Sequence, residues 1–158
     1  MAAALCYGSR GGGARLAFHH QAGAYNTTTL IQALGALRRF LGGQKATLLW
    51  DGLPAHRSKL MHAWLGRQRS WLVVEPLPAY APDLNPVEAL WASLKGVELA
   101  NLAGERLDDV VAAAERGIQR IRRTHHLPFS FLRYCGLSLC EPATMSLEGA
   151  NIFSVQLP

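Results

Sequence analysis

Three observations predict an α/β fold, a sheet with helices packed on it. Short apolar runs end at glycine or proline, longer stretches repeat apolar residues with helical period, and the two kinds of segment are interleaved along the chain.

Residues 2–8 (AAALCYG) and 14–20 (ARLAFHH) are apolar runs split by Ser9-Arg10-Gly11-Gly12-Gly13. Glycines there suit a hairpin turn, so two paired strands are expected. From Asn26 and Thr27, residue types that cap helices, leucines recur at 30, 34, 37 and 41. That spacing predicts a helix, which Gly42-Gly43 ends. Residues 46–50 (ATLLW) form a short continuous apolar run, as expected of a strand buried on both faces, and Asp51 follows at its C-terminal end.

A second helix is expected from Ser58, with Leu60, Met61, Trp64 and Leu65 on one face. Residues 71–74 (WLVV) read as another buried strand, followed by a proline-rich loop, 75–86 (EPLPAYAPDLNP). Pro86 suits a first helical turn, so a helix starts at Val87 with Val87, Leu90, Trp91 and Leu94 facing inward. A further helix over 106–123 carries Leu107, Val111, Ala114, Ile118 and Ile121. Residues 136–158 lack periodicity, and 140–158 are expected to be a disordered tail behind a domain over 1–139.

Composition narrows the function classes. The chain has 158 residues, 49% hydrophobic and 17% charged, which is globular rather than disordered. No apolar run reaches the roughly 18 residues of a membrane helix, and the N-terminus lacks the order of a secretory signal. A soluble, cytoplasmic, nucleoid-associated protein is therefore expected, with no membrane partner. The three cysteines (Cys6, Cys135, Cys140) form no C-x-x-C pair, and no histidine stands at a familiar ligand spacing to one, so packing thiols are expected rather than a zinc site. The net charge is +5, and residues 1–50 hold five basic residues and no acid. Surplus base suggests an anionic partner, nucleic acid first.

Two carboxylates stand out. Asp51 lies where a buried strand ends, the usual location of active sites in open α/β sheets. Glu88 lies in a helix's first turn, with the stiff loop 76–86 between them. Such a pair suits a hard cation such as Mg²⁺, and two ions roughly 3.5–4 Å apart can drive phosphodiester chemistry. Spacing alone also allows plainer roles. Asp51 before Gly52 suits a turn, and Glu88 suits the positive end of its helix.

The linking motif adds to this. Residues 48–58 (LLWDGLPAHRS) and 77–95 (LPAYAPDLNPVEALWASLK) resemble the DDE-superfamily endonuclease domain of bacterial insertion-sequence transposases, relatives of the mariner transposons. The family pattern is an Asp ending a strand, a His shortly after, and a loop close to P-x-Y-x-P-x-L-N-P-x-E-x-x-W. Asp51, His56, Pro78, Tyr80, Pro82, Leu84, Asn85, Pro86, Glu88 and Trp91 match it, and the resemblance extends from about residue 2 to residue 139. It implies a ribonuclease-H-like mixed sheet with flanking helices, and three carboxylates holding two Mg²⁺ (or Mn²⁺) ions. Asp51 corresponds to the second carboxylate and Glu88 to the third.

DNA, as transposon ends and target, is the implied partner. His56, Arg57, Lys59, Asn85 and Lys95 are candidate DNA contacts; His56 is read equally as ordering its loop or simply packing in the turn, Asn85 as a hydrogen-bonding partner of the loop backbone, and Lys95 as a solvated lysine. Arg38-Arg39, Arg67, Arg69, Arg116, Arg120, Arg122 and Arg123 are weaker candidates, since such residues more often form a solvated helix face.

The family's first carboxylate sits on an opening strand between the hairpin and the 46–50 strand. No acid precedes Asp51 here, and Glu75, the other acid near a strand end, is a poor stand-in. The chain therefore reads as a truncated or split transposase, inactive alone, with a sheet incomplete at that strand. Two unpaired edges would invite aggregation or pairing, as a homodimer or with a full-length transposase. The alternative is a non-catalytic fragment that binds DNA or associates with a complete enzyme.

Overall fold

The computed structural model describes residues 1–8, 13–51, 54–78, 82–100, 102 and 106–138, together with the backbone of 151–156. Strand β1 (Ala2–Tyr7) pairs antiparallel with β2 (Ala14–His19), as the apolar runs predict; most of the turn joining them, 9–12, lies outside the described residues. Helix α1 (Thr27–Phe40) opens on a reciprocal cap, in which the Asn26 side chain accepts from Thr29 N and Asn26 N donates to Thr29 Oγ1. It ends before Gly42 and Gly43, both at positive φ, a conformation that glycine adopts without steric cost.

Strand β3 (Ala46–Trp50) is followed by a turn of 3-10 helix (Pro54–Arg57) and by helix α2 (Lys59–Gly66), capped by Ser58. Strand β4 (Leu72–Pro76) pairs parallel with β3. It was expected to be buried on both faces, but it is an edge strand and Val73 is 52% exposed. An apolar run identifies a strand, and the neighbours on each side decide whether both of its faces are covered.

Helix α3 (Pro86–Val97) buries the expected face of Val87, Leu90, Trp91 and Leu94. Helix α4 (Leu107–Arg123) buries Ala114, Ile118 and Ile121, whereas Leu107 is exposed. Helix α5 (Leu127–Tyr134) was not anticipated; its eight residues are too few to display a clear period.

The larger correction concerns the C-terminus. Residues 151–156, expected in a disordered tail, form strand β5 (Asn151–Gln156) in a sheet of order β2-β1-β5-β3-β4. β5 runs antiparallel to β1 and parallel to β3, so the sheet is not open between the hairpin and β3. The physical reason is the one that made open edges a liability: unpaired main-chain donors and acceptors favour any strand that satisfies them, and this chain supplies one. The remainder of that segment, 139–150 and 157–158, lies outside the described residues.

The core has two layers. Ala2, Ala4 and Cys6 of β1 pack with Leu30, Leu34, Met61 and Trp50 beneath α1 and α2. Ala3, Leu5 and Tyr7 pack on the opposite face with Val87, Leu90, Ile118 and Leu132 of α3, α4 and α5. β1 is thus buried on both faces, as a central strand must be. Polar ties lock the second layer: the Tyr7 hydroxyl donates to Pro128 O at 2.8 Å, and Arg122 Nε donates to Leu16 O at 3.1 Å. Arg120 grips Glu98 through Nε–Oε1 (2.6 Å) and Nη2–Oε2 (3.1 Å), joining α4 to α3. Among the described residues no helix is long and apolar enough to cross a membrane.

Candidate active site

The site begins where β3 stops. Leu77 N donates to Trp50 O at 2.8 Å, carrying the β3–β4 ladder to the last residue of the strand, and the chain leaves the sheet at Asp51. The 3-10 turn that starts at Pro54 brings His56 back against that corner. Its imidazole lies flat on the Trp50 indole, with ring centroids 3.9 Å apart and planes 3° from parallel. His56 is only 3% exposed.

The Nδ1 atom of His56 lies 2.7 Å from the Asp51 carbonyl oxygen. A carbonyl only accepts, so Nδ1 carries the proton. The same nitrogen stands 3.2 Å from Asp51 Oδ1. Oδ1 is buried and has no hydrogen bond, so the contact at 3.2 Å is electrostatic while the carbonyl takes the N–H. The Asp51 side chain as a whole is 28% exposed, so the carboxylate has one buried oxygen beside His56 and reaches solvent on its other side. On the far edge of the ring, Nε2 is buried without a partner among the described residues.

The second element is the head of α3. Asn85 caps the helix, its Oδ1 accepting from Val87 N at 3.2 Å, and Pro86 occupies the first turn, where no amide donor is needed. Glu88 follows in that turn, half-buried, where the helix dipole favours a negative charge. It lines an open cleft with Asp83, Asn85, Tyr134 and Cys135. Burial, with the Asp83 carboxylate nearby, pushes the Cys135 thiol up. Asp51 is not among the residues lining this cleft.

The structure joins some of the expected site residues. It brings Asp51 to His56, and it sets Asn85 beside Glu88 at one helix head. His56 and Asn85, named as candidate DNA contacts, are buried, 3% and 2% exposed. Each binds the backbone at or beside a carboxylate residue: His56 Nδ1–H donates to the Asp51 carbonyl, and Asn85 Oδ1 accepts from Val87 N, directly before Glu88. Arg57, Lys59 and Lys95 are exposed, as phosphate contacts need to be. Arg120 and Arg122 are tied into the fold, and Arg38 lies over the Trp71 ring. Glu75 is exposed on the edge strand, opposite Leu49.

Trp50 was read from the sequence only as a strand end, and its role as the platform for His56 was missed. A Trp before the Asp and a His five residues after it, across Pro54, was the available signal. Tyr80 of the loop motif and Gly52-Leu53 lie outside the described residues.

A divalent ion suits this chemistry in part. Asp51 offers a carboxylate with a buried inner oxygen and a solvent-facing side, and Glu88 a half-buried one. Mg²⁺ usually takes one or two carboxylates and keeps waters or substrate phosphate for the rest. Among the described residues no three His, Cys, Asp or Glu side chains gather to enclose an ion.

Residues 4–109 match the family model described as DDE superfamily endonuclease, a span that includes Asp51, His56, Asn85 and Glu88. No curated protein matches the chain.

Proposed function

The chain belongs to the DDE superfamily of endonucleases, and we propose from that premise that it is the catalytic domain of a DNA transposase on a ribonuclease-H-like fold. In this reading it is the portion that supplies the second and third carboxylates of a metal-dependent strand-cleavage and strand-transfer site. The match over 4–109, which takes in both Asp51 and Glu88, carries the reading. The fixed carboxylate of Asp51 at the end of β3 supports it.

Asp51 and Glu88 would hold Mg²⁺ or Mn²⁺, and the ion would supply polarisation of the scissile phosphate and of an attacking oxygen. The chain's own residues do the rest. Asp51 presents an oxygen to solvent while His56 holds its inner edge, and Asn85 keeps the head of α3 wound so that Glu88 has a fixed origin. Arg57, Lys59 and Lys95 steady the DNA backbone by charge, a contact that weakens with salt. This reading requires Glu88 to reach the ion that Asp51 holds when DNA and metal are bound.

Residues 1–50 contain no acid, and Asp51 and Glu88 match two of the three carboxylates that the family resemblance implies. Little or no cleavage is therefore expected from it alone. The test couples plasmid nicking in Mg²⁺ or Mn²⁺ to direct Mn²⁺ titration. Mn²⁺ binding should weaken in both Asp51→Asn and Glu88→Gln, with nicking near background. If both variants bind Mn²⁺ as the parent does, the two carboxylates share no ion and the reading fails. Strong nicking abolished by Asp51→Ala would instead show that two carboxylates suffice. A salt-sensitive DNA shift with no cleavage and no Asp51-dependent Mn²⁺ binding would favour a non-catalytic DNA-binding fragment.

A further inference from the structure

We propose that His56 is a positioning residue for Asp51: its Nδ1–H fixes the Asp51 carbonyl and leans on the inner carboxylate oxygen, so that the outer oxygen is presented in one orientation. The inference rests on the reading of Asp51 as a cation ligand. The geometry has three parts. Stacking on Trp50 at 3.9 Å with planes 3° apart removes the ring's freedom. The 2.7 Å hydrogen bond to the carbonyl closes the corner from residue 51 to residue 56. The 3.2 Å approach to Oδ1 favours the carboxylate rotamer that keeps that oxygen inside.

Among the described residues Nε2 has no partner, which separates this role from simple packing. A buried acceptor without a donor is unfavourable, and a phenyl ring would stack on Trp50 with no such defect. The ring that carries this defect is justified by its other nitrogen. Outer partners of this kind orient metal ligands, and removing one commonly weakens metal binding by roughly 10–100-fold.

Two substitutions pull the alternatives apart. His56→Phe keeps the stack and removes the Nδ1 donor, whereas His56→Asn loses the ring but sets an amide N–H near the place of Nδ1. A positioning role expects Mn²⁺ affinity to fall roughly 10–100-fold in His56→Phe and to recover toward the parent in His56→Asn, even if the melting temperatures run the other way. A packing role expects affinity to follow melting temperature, with His56→Phe the more native of the two. Parental affinity in His56→Phe overturns the proposal.

A second readout needs no metal. Nitrogen NMR of the His56 ring should show Nδ1 protonated, and the Asp51 carboxyl ¹³C shift should move in His56→Phe and return in His56→Asn. An Nε2-protonated neutral ring, or an Asp51 shift indifferent to both substitutions, also overturns it. If the parent binds no Mn²⁺ through Asp51, the proposed function fails by itself, and the NMR pair still decides the positioning.

Discussion

Cys6 sits on the central strand, 2% exposed beneath α1, and burial pushes its thiol from 9.0 up to about 12 despite the opposing charge of Arg15. The sign of the consequence is fixed by linkage. A raised acid keeps its proton in the folded state while the unfolded chain loses it, so stability is unaffected below pH 9 and falls between about 9 and 12. The slope from Cys6 is at most about 1.4 kcal/mol per pH unit. Burial also raises Tyr25 to about 12, and Tyr7 further, from an ordinary value of 10.0, so both steepen the loss at higher pH. Between pH 9 and 10 thiols dominate, and Cys135 contributes with the same sign. Urea unfolding at pH 8, 9 and 10 should show stability falling in the parent and a flatter line in Cys6→Ala. A parent whose stability holds through pH 10 would mean that Cys6 ionises while folded. The residue scale also shows how far a sequence can be read. Asp51 and Glu88 stand out as acids at a strand end and a helix head. The part played by His56 depends on a ring stack and a 2.7 Å bond, which no one-dimensional pattern encodes.

At the scale of elements, α4 comes close to α3 at Gly117. A Cβ built there would strike the Leu94 side chain and lie 2.7 Å from the Glu98 carboxyl. Alanine ordinarily stabilises a helix by about 1 kcal/mol over glycine. Here it would overpack the α3–α4 seam, which costs about 1–3 kcal/mol, and would push Glu98 away from Arg120. Net destabilisation of up to about 2 kcal/mol is expected for Gly117→Ala, read as a lower urea midpoint with an unchanged slope. A stabilised variant would mean that α3 moves aside freely. The apolar period of α4 announced the helix and most of its buried face, but not which helix would approach at the glycine. β4 carries the same lesson: four apolar residues mark a strand, while its place at the sheet edge, with Val73 half exposed, follows from the order of strands.

For the whole molecule, the strand order turns on a segment in which the sequence shows no period. β5 stands between β1 and β3, in register from Ala3 opposite Gln156 to Tyr7 opposite Ile152, and from Ala46 opposite Asn151 to Trp50 opposite Val155. Six residues with no turn signal and no clear alternation give little local evidence of a strand. What recruits them is global: β1, buried on both faces, and β3, which ends at the candidate site, each need a partner on the edge that faces the other. Removing 151–158 should therefore do more than trim a terminus. It would leave two facing ladders unpaired at the centre of the sheet and free the strand that carries Asp51. The truncated chain is expected to lose its cooperative melt, or to associate through the exposed edges, in circular dichroism and size-exclusion measurements. A peptide spanning Asn151–Gln156, added in trans, should restore the monomer and the melt, since an extended segment can complete a sheet without a covalent link. A truncated chain that stays monomeric and melts like the parent would show that β1 and β3 hold together unaided, and that β5 has no part in keeping Asp51 at its station.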